Sequence, residues 1–364
     1  MIALCLLAGI LAGCGPSVPK NFKIGIVTGT VSQGEDEYRA AEQMKTKYVD
    51  RIVHVTYPDN FMQEQETVIS QITGLAADKN VRAIVVCQGV PGTAAAIDKI
   101  RLTRKDLPII VVVPHEDPKV ISKKADLVFE TDNLSRGTSI IQLAKQMGAT
   151  HFLHYSFPRH MSMELLAKRR TIFEQECKKQ GIEFVFVTAP DPMGPDGIPG
   201  AQKFIMEDVP REVAKYGKNV CVFSTNCGMQ EPLIKSALDT GAIFAEQCCP
   251  SPTHGYPGAL GLDVKGMAGD VAKILKAIED KIVSKGGAGR FATWPVPINM
   301  VFLRASVDLA MQAVEGKIKL SDEVALKAAL EKDAGTKITM TKYADVPDGH
   351  MYLTILGSYV FGKK

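Results

Sequence analysis

The fold of this chain is decided by the short apolar run Ala83-Ile84-Val85-Val86-Cys87. The run has no polar alternation, which is typical of a parallel strand covered by helices on both faces. A comparable run at 23–28 precedes it, and the intervening segment 63–77 carries apolar residues at the spacing of an amphipathic helix. Helix and strand therefore alternate around residues 83–87. Further strands are predicted at 52–57, 108–113 and 126–130.

A second set of alternating elements follows Asp132 and Asn133. Its predicted strands are 152–155, 184–187, 220–223 and 243–247, with predicted helices between them. Strands that alternate with helices in this way form parallel sheets through right-handed crossovers. The sequence therefore predicts an α/β fold, made of two doubly wound parallel-sheet lobes joined by a three-crossing hinge.

The C-terminal third is predicted to pass back and forth between the lobes. An amphipathic helix is expected over 265–284, an extended piece over 291–297, a helix over 300–315 and a strand over 352–361. We assign residues 23–132 and 262–293 to lobe one, and residues 133–261 and 297–364 to lobe two. The crossings are placed near Asp132, within 252–262 and within 293–297.

The N-terminus is apolar as far as Leu11-Ala12-Gly13-Cys14, which resembles the lipobox of bacterial lipoproteins. An apolar run of about 13 residues is too short to span a bilayer but suits a signal peptide. No Lys or Arg precedes the run, which departs from the usual pattern. We interpret residues 1–22 as a signal peptide and tether. The protein is expected to be lipidated at Cys14 and anchored to a membrane outside the cytoplasm.

Composition and motifs argue against several other classes. A net charge of +3 over 364 residues gives no single-sign field for nucleic acid. The glycine fingerprints of nucleotide sites and the serine elbow of hydrolases are missing, so we predict neither an enzyme nor a cofactor. Cysteine and histidine spacing matches no zinc pattern, so no metal site is predicted. A disulfide and free thiols both remain open for Cys221, Cys227, Cys248 and Cys249.

Several segments carry a resemblance to a known family. They are Lys23-Ile24-Gly25-Ile26-Val27, 71–88, Leu107-Pro108-Ile109-Ile110-Val111, Asp132-Asn133-Leu134-Ser135-Arg136-Gly137 and Arg169-Arg170-Thr171-Ile172-Phe173. They resemble the type I periplasmic binding proteins, which include ribose-type sugar receptors and lipoprotein nucleoside receptors. The resemblance implies a monomer whose lobes hinge shut on a small ligand and whose closed form docks on an ABC-type membrane permease. A sugar, a nucleoside or an organic acid is the expected ligand.

Loops at the carboxyl ends of the predicted strands are the expected ligand contacts, because they form the concave edge of a parallel sheet. The candidate ligand-binding residues are Thr28, Thr30, Gln33, Gln88, Gly89, His115, Glu116, Ser156, Arg159, His160, Arg169, Asn226, Gln247 and Trp294. Ordinary turn chemistry is the alternative for any one of them. Trp294 either stacks on the ligand or wedges the hinge. Either Arg159→Ala or Arg169→Ala is expected to weaken binding by more than about tenfold.

Two other functions are compatible with the same pair of lobes. A lipoprotein sensor would present its ligand to a signalling receptor instead of a permease. The effector-binding domain of a transcriptional regulator would need a DNA-binding headpiece before the first strand. The residues before Lys23 are apolar and then proline-rich, which does not fit such a headpiece.

Overall fold

The structure is a computed structural model, and it describes residues 21–267 and 270–363. The predicted lipidation site at Cys14 lies outside the described residues. Among the described helices, none combines the length and the apolar character needed to cross a membrane.

Strands and helices alternate through most of the described chain. The strands are β1 (Lys23–Thr28), β2 (Ile52–Thr56), β3 (Val81–Cys87), β4 (Ile109–Val112), β5 (Leu127–Thr131), β6 (His151–Ser156), β7 (Glu183–Thr188), β8 (Val220–Ser224), β9 (Ala292–Thr293), β10 (Thr339–Lys342), β11 (Met351–Ile355) and β12 (Tyr359–Val360). The helices are α1 (Val31–Tyr48), α2 (Gln65–Ala77), α3 (Thr93–Arg101), α4 (Pro118–Lys124), α5 (Asn133–Gln146), α6 (Pro158–Met161), α7 (Glu164–Gln180), α8 (Gly197–Tyr216), α9 (Gln230–Thr240), α10 (Tyr256–Leu260), α11 (Val271–Ser284), α12 (Ile298–Val314) and α13 (Glu323–Ala334).

Lobe one is built on a seven-stranded sheet in the order β10-β11-β5-β4-β3-β1-β2. All neighbours are parallel except β10 and β11. The apolar run of β3 lies between β1 and β4, with Ile84 and Val85 facing two different apolar clusters. Burial on both faces is what the uninterrupted Val and Ile pattern predicts, so the α/β expectation is confirmed.

Lobe two is built on three parallel strands in the order β7-β6-β8. Beyond β8 the sheet continues only as single bridges, Cys221 to Ile243 and Phe244 to Phe291. The strand predicted at 243–247 is therefore a short extended segment, and it turns away at 248 toward the cleft. A small antiparallel pair of β9 and β12 closes this end of the lobe.

The assignment of 262–293 to lobe one was wrong, and so was the assignment of most of 297–364 to lobe two. Helix α12 packs on β3 and β4 in lobe one, whereas Ile274, Ile278 and Ile282 of α11 lie in the core of lobe two. The strand predicted over 352–361 is two strands, because β11 joins β5 and β12 joins β9. The crossing predicted at 252–262 is found instead at 356–358. An apolar helix face fits either sheet, so its pattern could not decide between the lobes.

His154 occupies an unusual position in the core of lobe two. Its ring is fully buried among Phe173, Phe186 and Phe223, and neither ring nitrogen has a hydrogen-bond partner among the described residues. Burial, with the nearby charges of Arg169 and Arg170, lowers the pKa of His154 well below its usual value. The folded protein therefore holds this ring in the neutral form.

We expect His154→Leu to stabilise the protein, and more so at pH 5 than at pH 7. Below about pH 6.5 the unfolded wild type gains a proton that the native core excludes, which costs the wild type about 2 kcal/mol between these two pH values. The leucine variant does not suffer this loss. Urea unfolding of both proteins at both pH values measures it. An equal stability difference at pH 5 and pH 7 would contradict this, because it would mean that His154 takes up protons equally in the native and unfolded states.

Candidate functional site

The cleft between the two lobes contains a cavity of about 90 Å³. The carboxyl ends of lobe-one strands and the lobe-two segments that face them form its wall. The lining residues are Gln33, Phe61, Gln88, Val113, Pro114, His115, Glu130, Thr131, Asn133, Arg159, His160, Met163, Leu166, Arg169, Met193, Thr225, Asn226, Cys227, Cys248 and Cys249. A second cavity of about 310 Å³ lies beside the first and shares Gln33, Cys227 and Cys249 with it.

The lobe-one wall presents a fixed amide after β3. The side-chain oxygen of Gln88 accepts a hydrogen bond from the Tyr57 hydroxyl at 2.7 Å, and its nitrogen donates to the Gln33 carbonyl at 2.9 Å. The Gln88 backbone has a φ of 60°, in the left-handed region that non-glycine residues rarely adopt. Partners at both ends hold this side chain in one position.

Two buried carboxyl groups also belong to lobe one. Burial, with the repulsion of Cys249 and Asp36, raises the pKa of Glu37 to about 7, although Asn299 donates to it at 2.8 Å. Burial likewise raises the pKa of Glu130 to about 7, against hydrogen bonds from the Thr131 hydroxyl and amide. Near neutral pH these groups are therefore present in both protonation states, and each can donate or accept a hydrogen bond.

The lobe-two wall contributes a buried guanidinium, Arg169 of α7. Its side chain is almost fully buried and donates one hydrogen bond, to Asn133 at the first crossing. Its Nε has no partner, and it forms no ion pair with any described residue. Burial, with the nearby Arg136, lowers the pKa of Arg169 to about 9. A cation in this position lacks a compensating anion.

The other basic groups of this wall are paired differently. Arg159 forms a two-bond ion pair with Asp191, at 2.9 and 2.8 Å, and is partly exposed. His160 and Ser156 both contact the Thr225 hydroxyl, at 3.1 and 2.8 Å. Burial lowers the pKa of His160 well below its usual value. Arg159 therefore has its counter-ion within the protein, unlike Arg169.

His115 approaches from lobe one. Burial, with the charge of Arg159 across the cleft, lowers the pKa of His115 to about 4. Its Nδ1 is buried and unpartnered among the described residues. The neutral ring therefore offers the cleft a free nitrogen near physiological pH.

The structure divides the candidates from the sequence analysis into two groups. Those that line the 90 Å³ cavity are Gln33, Gln88, His115, Arg159, His160, Arg169 and Asn226. Those that line neither cavity are Thr28, Thr30, Gly89, Glu116, Ser156, Gln247 and Trp294. Arg169 lies within helix α7 and Trp294 lies at a crossing. The other candidates stand at the carboxyl ends of predicted strands, but several turn toward the protein itself.

Residues of the second group have partners within the fold. Glu116 accepts hydrogen bonds from the Gly92 and Ala94 amides and so caps α3. Thr28 bonds the Gly29 carbonyl and His54, and Thr30 bonds Asp59. The Gly89 carbonyl accepts from the His115 and Glu116 amides. These side chains and backbone groups therefore bond to the protein itself, which is the alternative to ligand contact that the sequence analysis gave for each residue.

Trp294 lies at the second crossing and supports the hinge. It is buried, and its indole nitrogen donates to Glu246 at 2.7 Å. The other oxygen of Glu246 pairs with Arg136 at 2.7 Å, and Arg136 also donates to the Gln247 carbonyl at 2.7 Å. This placement supports the role of Trp294 as a wedge in the hinge and gives no support to stacking on a ligand.

Three thiols and one imidazole meet on the lobe-two side of the cleft. The sulfur of Cys227 lies 3.6 Å from that of Cys248 and 3.6 Å from that of Cys249. The sulfur of Cys248 lies 3.7 Å from Nε2 of His254. A disulfide bond is about 2.05 Å long, so these are separate thiols here. Cys221 is elsewhere, in the apolar core around β6.

Sequence reasoning missed part of this site. Glu37 and Asn299 lie within helices α1 and α12, where nothing in their spacing sets them apart. Glu130 and Thr131 stand at the carboxyl end of a strand that the sequence predicts, and this position could have identified them as candidates. Cys227 and Cys248 are 21 residues apart, and Cys248 and His254 are 6 residues apart. Neither spacing is typical of a metal-binding motif. The sequence analysis predicted no metal site and therefore missed this cluster of thiol and imidazole groups.

Comparisons with known proteins bear on the family and the fold. The model of a family described as "Protein of unknown function (DUF3798)" matches residues 22–292. An uncharacterized protein of Treponema pallidum (strain Nichols) is 39% identical over 187 residues, which are 50% of this chain and 85% of that protein.

Solved structures resemble nearly the whole chain. A candidate transcriptional regulator from Clostridium difficile 630 has a TM-score of 0.77 and 28% identity, over 94% of this chain and 99% of its own. An ABC transporter solute binding protein from Agrobacterium vitis, with bound allitol, has a TM-score of 0.55 and 14% identity, over 83% and 91%. The fold is that of the type I periplasmic binding proteins, as the sequence resemblance implies.

Proposed function

The chain belongs to the DUF3798 family of unknown function, and we propose that it is an extracytoplasmic solute-binding protein whose lobes close on a small polar organic ligand. The observation that carries this proposal is Arg169, a buried guanidinium that lines an interlobe cavity and has no counter-ion within the described part of the chain. A carboxylate or phosphate on the ligand would supply the missing charge through paired hydrogen bonds. Among sugars, nucleosides and organic acids, this favours an organic acid.

The position of the cavity supports closure as the binding mechanism. Gln88 and His115 approach from lobe one, and His160 and Arg169 from lobe two. A ligand that contacts both walls stabilises the closed arrangement only through interactions that the open arrangement lacks. Closure also excludes water, which strengthens each polar contact within the cleft.

Delivery to an ABC-type permease and anchoring through Cys14 complete the proposal. The Agrobacterium vitis protein is described as part of an ABC transporter, and it shares the fold of this chain. The apolar N-terminus that ends at Cys14 supports a lipid anchor. We propose that the protein acts as a monomer, without nucleic acid and without catalysis.

A ligand-responsive regulatory role is the second candidate. It is favoured by the match to a candidate transcriptional regulator of Clostridium difficile over almost the full length of both chains. A sensor that presents its ligand to a signalling receptor would use the same cleft. The two roles differ in the partner of the closed form and agree on the ligand site.

We expect a small acidic molecule to leave the protein on denaturation, and to raise the melting temperature when it is added back. Binding to the native state alone stabilises it by about 2.7 kcal/mol at a hundred times the dissociation constant. Mass spectrometry of the released fraction and a thermal-shift assay measure both effects. The absence of a released molecule, with no shift across organic acids, sugars and nucleosides, would reject the proposal. Specific DNA retardation would favour the regulator instead.

A further inference from the structure

We propose that Cys227, Cys248 and His254, with Cys249 as the fourth ligand, bind a thiophilic cation, Zn²⁺ or Cu⁺, on the lobe-two wall of the cleft. Ligand atoms of Cys227, Cys248 and His254 all lie within 4.8 Å of one another. Thiolate and imidazole are the ligands that these two ions prefer over oxygen donors. The site goes beyond the proposed function, because all four residues lie in lobe two and need no organic ligand.

The separations fit tetrahedral coordination. Zn–S bonds of about 2.3 Å and Zn–N bonds of about 2.0 Å give tetrahedral edges of about 3.8 Å between sulfurs and about 3.5 Å from sulfur to nitrogen. The protein has 3.6 Å for the Cys227–Cys248 and Cys227–Cys249 sulfur pairs and 3.7 Å from Cys248 to His254. These three separations are close to the edges of a tetrahedral site, whereas Cys249 is outside the group whose ligand atoms all lie within 4.8 Å of one another, so its side chain must move to become the fourth ligand.

A second set of hydrogen bonds holds the ligands in place. The buried Gln230 accepts from the Cys248 amide at 3.4 Å and donates to the Asn226 carbonyl at 3.0 Å, so one side chain links both cysteine loops. The Asn226 side chain accepts from the Gly228 amide at 2.8 Å and fixes the turn that carries Cys227. Outer contacts of this kind orient metal ligands and raise affinity.

The loop that carries His254 is anchored by Gln247. The Gln247 side-chain nitrogen donates to the Ser251 carbonyl at 2.6 Å and to the His254 carbonyl at 3.2 Å. Gln247 is fully buried, so these bonds are shielded from water. The residues between Cys248 and His254 are thus tied into a tight loop that brings the imidazole onto the Cys248 sulfur.

Cobalt titration of the purified full chain under reducing conditions tests the site. We expect thiolate-to-cobalt charge-transfer absorption that saturates at one Co²⁺ per chain and is abolished by Zn²⁺. Cys227→Ser and His254→Ala should each weaken Zn²⁺ binding by about a hundredfold, since each removes one of four ligands. Cys177→Ser removes a buried thiol from the same lobe and should bind as the wild type does.

Competition with a Cu⁺-specific chelator decides which ion is held more tightly. Three outcomes would overturn the proposal: neither a charge-transfer band nor Cu⁺ binding, equal binding by Cys227→Ser and Cys177→Ser, or a disulfide among Cys227, Cys248 and Cys249 that forms in air and persists in the purified protein. The thermal-shift assay is repeated on metal-free protein. A ligand shift that survives there leaves the proposed function standing even if the metal site fails.

Discussion

Replacing Arg136 with alanine is expected to lower the free energy of unfolding by about 3–5 kcal/mol. Arg136 and Glu246 are 0% and 2% exposed, and they form a 2.7 Å ion pair beneath the first and second crossings. Loss of the guanidinium leaves Glu246 buried and charged, with the indole of Trp294 as its remaining side-chain donor among the described residues. Urea unfolding, followed by tryptophan fluorescence and circular dichroism, measures the change.

Two further variants separate this effect from general damage. Arg170→Ala removes a partly exposed arginine that pairs with Glu174 one turn along α7 and lies over the Phe186 ring. Its loss should cost only about 1 kcal/mol. The double variant Arg136→Met with Glu246→Gln leaves no unpaired charge, so we expect it to recover much of the lost stability. If Arg136→Ala and Arg170→Ala were equally stable, the hinge ion pair would have no special role.

Replacing Arg169 with methionine is expected to weaken ligand binding by about a hundredfold or more, without loss of stability. Among the described residues Arg169 has no counter-ion, and under the proposed function an acidic ligand would compensate its charge. Methionine fills a similar volume and removes a buried charge, which is neutral or stabilising for a fold. Asn133 keeps a hydrogen bond from Arg136 at 3.1 Å in the variant. Calorimetry with the identified ligand and urea unfolding of the ligand-free protein measure the two quantities.

Arg159→Ala provides the comparison for this prediction. Arg159 already pairs with Asp191, so its removal should weaken binding less than the removal of Arg169 and should also disturb Asp191. The order of affinities expected is wild type, then Arg159→Ala, then Arg169→Met. A destabilised Arg169→Met protein that still binds tightly would place Arg169 in the structural framework and not in the ligand site.

The hinge and the cleft are built from the same short segments. Asn133 accepts hydrogen bonds from both Arg136 and Arg169, so one amide connects the hinge ion pair with the candidate ligand cation. Glu246 supports the hinge, and the next residues along the chain lead to Cys248 in the cleft wall. A ligand that draws Arg169 toward itself would therefore act directly on the first crossing.

The sequence by itself determined the layers of this protein. Continuous Val and Ile runs, as in β3, occur where a strand is covered on both faces, and that local pattern identifies a parallel sheet without any knowledge of the partner strands. The same logic placed polar residues at strand ends, and Gln88, His115 and Asn226 do line the same cavity. The periodicity of apolar residues and the order of helices and strands along the chain are local properties, so one sequence was enough to find them.

Only the tertiary structure decided which lobe receives α11, α12 and the two halves of 352–361, because an apolar face is satisfied by any apolar surface of matching shape. It alone decided that Glu116 caps a helix and that Trp294 supports the hinge. It also brought Cys227 to Cys248 and His254. Hydrophobic burial is non-directional, so the spacing of apolar residues along the chain is enough to predict which faces are buried. A hydrogen bond or a set of metal ligands instead depends on the positions of atoms that are far apart in the chain. Such contacts exist only once the chain has folded.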